Sequence, residues 1–249
     1  MNDPSRRHFL QTASSAAAGI VLVDAVQAAD KTETAAGTPP PIPAFAPVHQ
    51  PRPLPFDPAK LEGLSEKLIR SHWENNYGGS VKTLNTVKLK LAQALADKDT
   101  PPFLYDDLKR EHLTRTGSVV FHELYFENLG GSGKADAELR QQIGVAFGDF
   151  DTWETEFRRV GAGLAGGSGW VVLGYNLHSG QIENYWLADH LHSPAATLPL
   201  LVMDMYEHAY QMDFGAAAAR YIDAFFRNIR WESVAERLAY GRRAASYKT

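Results

Sequence analysis

Asp204-Met205-Tyr206-Glu207-His208-Ala209-Tyr210 follows the apolar run Leu198 to Met203 and sets two carboxylates and an imidazole within five residues. Charged side chains enter a core only when they are paired or bound to a metal. A helical turn from Asp204 would place Asp204 and His208, four apart, on one face. A hard oxygen donor beside an imidazole suits iron, manganese or zinc. The same residues also read as an Asp-capped helix start with a core histidine, and the heptapeptide alone does not separate the two. His72 continues the helical spacing of Leu61, Leu64 and Leu68, on a face that runs in steps of four to Asn76 and Ser80. His122 lies amid Val119, Val120, Phe121, Leu124, Tyr125 and Phe126, where a lone histidine reads first as core. His122-Glu123 lacks the second histidine of the His-Glu-x-x-His zinc-hydrolase pair.

The elements that must hold these residues follow from periodicity and punctuation. Asp57-Pro58 reads as a capped helix start. Gly78 and Gly79 interrupt the first helical run and predict a bend or the close approach of another backbone. Val81 to Leu95 is amphipathic, Asp97 to Pro102 is a turn, and Phe103 to Leu129 is a second long helical segment. Gly130-Gly131-Ser132-Gly133 reads as a linker and subdomain boundary; no strand-to-helix phosphate fingerprint accompanies it. Helices are expected over 135–147 and 152–164, with Asp149 or Asp151 capping the second. Trp170 to Tyr175 and Gln181 to Ala188 form a hairpin about Asn176 to Gly180, and Leu198 to Met203 is a third strand. Helices over 216–229 and 231–238 close the chain. The expected class is α+β: an N-terminal helical hairpin subdomain (54–132), then a C-terminal subdomain (133–249) of helices around a three-stranded antiparallel sheet.

Composition narrows the chemistry. The chain has 249 residues and a net charge of -4, without the basic excess of a nucleic-acid binder. It has no cysteine, so disulfides, thiolate metal sites and cysteine nucleophiles are excluded. Any metal must be held by His, Asp, Glu or backbone oxygen. Ser5-Arg6-Arg7-His8-Phe9-Leu10, the apolar run Ala13 to Val23 and Val26-Gln27-Ala28 resemble a twin-arginine export signal cleaved after Ala28. The run is short and alanine-rich for a membrane span. Eight prolines between Pro39 and Pro55 predict an extended tether over 29–53 whose end lies along the domain.

The heptapeptide resembles the D-x-W-E-H-A-Y signature of the iron/manganese superoxide dismutases. Leu54-Pro55-Phe56, Ser71-His72-Trp73 with Val81-Lys82-Thr83-Leu84-Asn85, Phe121 to Phe126, Gly167-Ser168-Gly169-Trp170 and Asn228-Ile229-Arg230-Trp231-Glu232 are similar to further segments of that family, in order, over about residues 50 to 240. The resemblance implies one iron or manganese ion per subunit, held by His72, His122, Asp204 and His208 with a fifth position left for solvent. It implies an apolar wall from Trp170 and a solvent-bonding role for His190, with His192 its competitor. Tyr206 replaces the signature tryptophan. Glu207 would reach across a homodimer interface to a ligand histidine of the other subunit. At the substrate gate the family has a tyrosine, a histidine and a second tyrosine where this chain has Ser80, Asn76 and Gln211. Tyr77, though adjacent in sequence, is not assigned the missing role. The implied activity is dismutation of superoxide to oxygen and hydrogen peroxide, in the periplasm or outside the cell, without nucleic acid or, once the signal is removed, membrane. The alternative is a metal-binding homologue with weak or no dismutation, because the gate is rebuilt.

Overall fold

The computed structural model describes residues 42–246. The expected export signal and the tether up to residue 41 lie outside them. Asp57 does cap a turn, accepting from the Ala59 N–H, but only a single 3-10 turn, Pro58–Lys60. Gly63 then takes a positive φ of 78° against the Arg227 guanidinium and ends any helical run. Helix α1 (Glu66–Ser71) starts instead where Ser65 Oγ accepts from the Leu68 N–H at 3.1 Å.

Helix α1 passes without a break into a π-helical segment, His72–Tyr77, and then into α2 (Gly78–Ala96). The Gly78 N–H bonds to the Trp73 carbonyl, five residues back. The wide turns shift the buried face: His72 and Tyr77 are both buried at a spacing of five. The expected steps of four from His72 through Asn76 are therefore interrupted. No other backbone approaches the two glycines. A Cβ on Gly78 would meet only the Trp73 carbonyl at 3.4 Å, and one on Gly79 would meet nothing within 4 Å.

Helix α3 (Pro102–Glu127) returns beside α2. The segment from His49 to Arg52 lies along this helical pair. His49 exchanges two hydrogen bonds with the Asn85 side chain. The Arg52 N–H donates to the Tyr77 hydroxyl at 2.8 Å, and the Trp73 indole N–H donates to the Arg52 carbonyl at 2.9 Å. The Arg52 guanidinium bridges Glu123 and Glu127. Leu54 and Phe56 pack on the core.

The glycine run after α3 is pressed against the chain ahead of the last helix. The N–H groups of Gly131 and Gly133 donate to the Asn228 and Ile229 carbonyls, each at 3.0 Å. A Cβ on Gly131 would stand 2.3 Å from the Ile229 carbonyl oxygen, so only glycine fits. Helices α4 (Ala137–Phe147) and α5 (Phe150–Gly163) follow, capped by Asp136 and Asp149. The sheet is three-stranded and antiparallel, in the order β2 (Ile182–Leu187), β1 (Trp170–Asn176), β3 (Thr197–Asp204). Asn176 Oδ1 accepts from the His178 and Ser179 N–H groups and closes the β1–β2 turn. Strand β3 carries Pro199 at a bulge opposite Leu173 and Gly174, the setting in which a strand tolerates proline.

Strand β3 runs through Asp204, not into a helix there. A 3-10 turn, Glu207–Ala209, comes next, then α6 (Gln211–Phe214), which periodicity did not signal because it is only four residues long. Helices α7 (Ala218–Arg227) and α8 (Trp231–Ser246) close the fold. The class is α+β, a helical N-terminal region followed by helices around a three-stranded antiparallel sheet. No helix among the described residues is long and apolar enough to cross a membrane.

The two kinds of glycine make opposite predictions. Gly79→Ala fills open space in a helix interior and should raise Tm by roughly 2–4 °C. Gly131→Ala forces two backbones apart and should cost about 1–3 kcal/mol. Thermal unfolding of the two variants checks the pair, and an equal response would refute the packing assigned to Gly131.

Candidate metal centre

Four elements deliver one side chain each to a common point. His72 comes from the start of the π segment, His122 from α3, Asp204 from the last position of β3, and His208 from the 3-10 turn. Their candidate ligand atoms all lie within 4.8 Å of one another. The Asp204 Oδ2 stands 3.1 Å from His72 Nε2, 3.2 Å from His208 Nε2 and 3.7 Å from His122 Nε2. His72, His122 and Asp204 are buried, and His208 is partly open on one side.

Asp204 and His208 meet by a route other than a shared helix face. Asp204 Oδ1 accepts from the Tyr206 N–H at 2.8 Å, an Asx turn that folds the chain back at the strand end. The Met205 N–H bonds to the Gly169 carbonyl, and the Tyr221 hydroxyl donates to the Asp204 carbonyl at 2.6 Å. The carboxylate is thus held from both its side chain and its backbone.

His72 and His122 are arranged to present bare nitrogens, while His208 Nε2 is hydrogen-bonded to Asp204 Oδ2. His122 Nδ1–H donates to the Ser118 carbonyl at 2.6 Å, one turn back on α3, which fixes the tautomer and leaves Nε2 as a lone pair. His72 Nε2 and His122 Nε2 are buried without a hydrogen-bond partner, although each lies near Asp204. Burial, reinforced by the neighbouring His72, lowers the His122 pKa to about 3. Burial lowers that of His72 as well. Burial alone would raise the Asp204 carboxyl, but His208 and His72 outweigh it and hold it well below the usual carboxylate range. Two buried imidazoles with unbonded inward nitrogens, a third imidazole and an ionised carboxylate are the donor set of a divalent or trivalent transition metal. The orphaned nitrogens show that the residues present fit such an ion.

One wall of the site is Trp170, which pairs with Asp204 across β1 and β3. Its indole packs edge-on against His122 at 5.2 Å and donates from Nε1 to His190 Nδ1 at 3.0 Å. His190 stacks on Tyr206 at 4.6 Å, and Tyr206 stacks in turn on His208 at 5.2 Å. Burial, then the charges of Asp204 and Asp189, push the Tyr206 phenol up to about 12. Of the two histidines in the loop, His190 therefore faces the centre, while His192 pairs with Asp189 at the surface. Gly117 on α3 is what admits His190: a Cβ there would stand 1.9 Å from the His190 carbonyl oxygen.

A funnel of about 380 Å³ leads from solvent to His122, His190, Tyr206 and His208, past Asn75, Asn76, Gly79, Ser80, Thr83, Arg115 and Ser118. Asn76 and Ser80 are among its lining residues. Ser80 Oγ is hydrogen-bonded to Ser118 Oγ at 2.8 Å, linking α2 to α3 beside the funnel. Gln211 is exposed at the start of α6 and lies outside this lining, because the 3-10 turn and Tyr210 (φ -147°) prevent a helix from running on from His208. Tyr77 points the other way: its hydroxyl donates to Glu123 at 2.9 Å. The Glu207 carboxylate is exposed beside His208 and has no hydrogen bond or ion pair among the described residues. Arg115, Gly117 and Ser118 escaped sequence reasoning. The available signal was their spacing of seven, five and four residues before His122.

Residues 135–237 match the family described as iron/manganese superoxide dismutases, C-terminal domain. The chain is 48% identical to the "Superoxide dismutase [Fe]" of Cupriavidus metallidurans over 192 residues, covering 77% of this chain and 97% of the relative. It is 36% identical to the "Superoxide dismutase [Fe]" of Aquifex aeolicus, covering 72% of this chain and 86% of that one. It is 34% identical to the "Superoxide dismutase [Mn]" of Mycobacterium intracellulare, covering 79% and 93%. With a relative so similar along almost its whole length, and with a helical hairpin and three-stranded sheet that converge on three histidines and an aspartate, the chain belongs to the iron/manganese superoxide dismutases.

Proposed function

We propose that this chain dismutes superoxide to oxygen and hydrogen peroxide, with one iron or manganese ion per subunit held by His72, His122, Asp204 and His208. The observation that carries the reading is the convergence of three inward-facing imidazoles on a fully buried carboxylate at the foot of an open funnel. When bound, the metal supplies a one-electron couple that superoxide can both reduce and reoxidise. The chain's own residues do the rest. Asp204 offsets the positive charge of the ion and keeps the site ionised at physiological pH. The Ser118 carbonyl orients His122, and Trp170 keeps bulk water from that ring's edge. His190, held by the Trp170 indole and stacked on Tyr206, stands where it can order a solvent molecule in the funnel. Ser80 and Asn76 offer a hydroxyl and an amide in place of the family's phenol and imidazole, so water, not a tyrosine, supplies protons at the gate.

The same reading extends to assembly and location. Glu207, exposed and unpartnered beside a half-open His208, suits a homodimer in which it meets a ligand histidine of the other subunit. The twin-arginine pattern of Ser5 to Leu10 suits export of a protein already folded around its metal, to the periplasm or beyond.

Superoxide decay by the purified mature chain, expressed per bound iron and per bound manganese, tests the activity and identifies the metal. Metal-loaded protein no faster than free metal ion would leave only a metal-binding homologue, with Ser80, already engaged by Ser118, as the reason. His122→Ala should lose most of its bound metal by elemental analysis while the fold persists; full occupancy would refute the ligand set. Trp170→Phe keeps the wall but frees His190, and should lower the per-metal rate about tenfold at unchanged metal content. For location, Arg6→Lys with Arg7→Lys should hold the chain in the cytoplasm at its full mass. Export of that double variant would show that these arginines are not read as a signal.

A further inference from the structure

Arg115 is the one Asp, Glu, Lys or Arg among the residues lining the funnel; its other polar residues are amides, hydroxyls and imidazoles. It shares a face of α3 with Ser118 and His122, at spacings of three and seven residues. Seven residues place it about 10 Å along the helix from the ligand position. That distance is comparable to the screening length at physiological salt, so its charge is felt at the foot of the funnel. The side chain is about one-third exposed, and Glu111 fixes it by accepting from Nε at 2.6 Å across one helical turn. The two terminal nitrogens have no hydrogen-bond partner or ion pair among the described residues. The whole chain carries -4, a charge that by itself repels anions.

From this placement we infer that Arg115 is the residue that draws small monovalent anions into the funnel, and that Glu111 acts as its positioning and attenuating partner. The inference rests on the dismutase reading and adds to it the group that selects and concentrates the substrate. A guanidinium held by one carboxylate and open on its other edge attracts an anion without trapping it, as a substrate in rapid turnover requires. Electrostatic capture depends on the local field rather than on net charge, so an acidic chain can still collect superoxide.

The test compares the metal-loaded wild type with Arg115→Gln, Arg115→Lys and Glu111→Gln in two measurements. One is the second-order rate of superoxide decay against ionic strength, and the other is azide affinity by calorimetric titration. Arg115→Gln should lower the low-salt rate about fivefold, flatten its salt dependence and weaken azide several-fold, with metal content unchanged. Arg115→Lys should recover most of both, and Glu111→Gln should raise the low-salt rate about twofold. A wild type that dismutes superoxide, paired with an Arg115→Gln variant of equal rate and salt slope, overturns the role of Arg115 while leaving the proposed function intact. A wild type without dismutase activity overturns the function instead; azide then decides for Arg115, equal affinity in wild type and Arg115→Gln overturning it and weaker affinity in the variant sustaining it.

Discussion

A fully buried carboxylate is the constraint around which this fold is arranged. An isolated ionised aspartate in an apolar interior would cost several kcal/mol and would take up a proton instead. Asp204 stays ionised because His208 and His72, close beside its carboxylate, outweigh the burial that would protonate it. Burial in turn disfavours the charged forms of His72 and His122, whose Nε2 atoms have no hydrogen-bond partner. A cation held between the carboxylate and these imidazoles would offset the burial of both, so metal binding would add to the stability of the fold.

The surrounding packing serves that point from several directions. Trp170 is fixed opposite Asp204 by strand register, so the wall and the carboxylate keep one spacing. Glycine supplies the close approaches. Gly117 lets the His190 loop press against α3, and Gly169, at φ 139°, lies against the Leu187 carbonyl where β1 begins. Such contacts cannot be made with a side chain in the way, and each sits one step from a residue that faces the site.

Much of this was legible in the sequence. Helix periodicity and apolar runs located the two long helices and all three strands to within a few residues; β1 and the end of β3 are buried on both faces and read as continuous apolar runs. The four convergent residues were legible through the family pattern, not through spacing: Asp204 and His208 meet across a strand end and a turn, a geometry that a count of four misattributes to a helix. The first helix was placed too early because Asp57-Pro58 has all the marks of a cap, and the positive φ of Gly63 that stops it depends on a contact with Arg227, far away in sequence. Gly130 to Gly133 looked like slack, whereas Gly131 and Gly133 are held in hydrogen bonds to residues 228 and 229. The funnel's arginine was invisible for a similar reason. A basic residue on a long helix is ordinarily solvated, and only the tertiary structure shows that this one overlooks the site.

The π segment between α1 and α2 makes chain length itself part of the site. Its hydrogen bond from Gly78 to Trp73 accommodates one more residue than a regular helix would. Deleting one residue from 73 to 77 would restore ordinary winding and leave α2 facing nearly as it does now, because the π turn spreads one extra residue over the same rotation. Ser80 and Asn85 would keep their partners on α3 and on the tether, each one position nearer to His72 in the chain. Substitutions in this stretch alter what the funnel is made of; a deletion within it alters the count of positions. Position counts from His72 consequently compare like with like only among chains that carry the same wide turn.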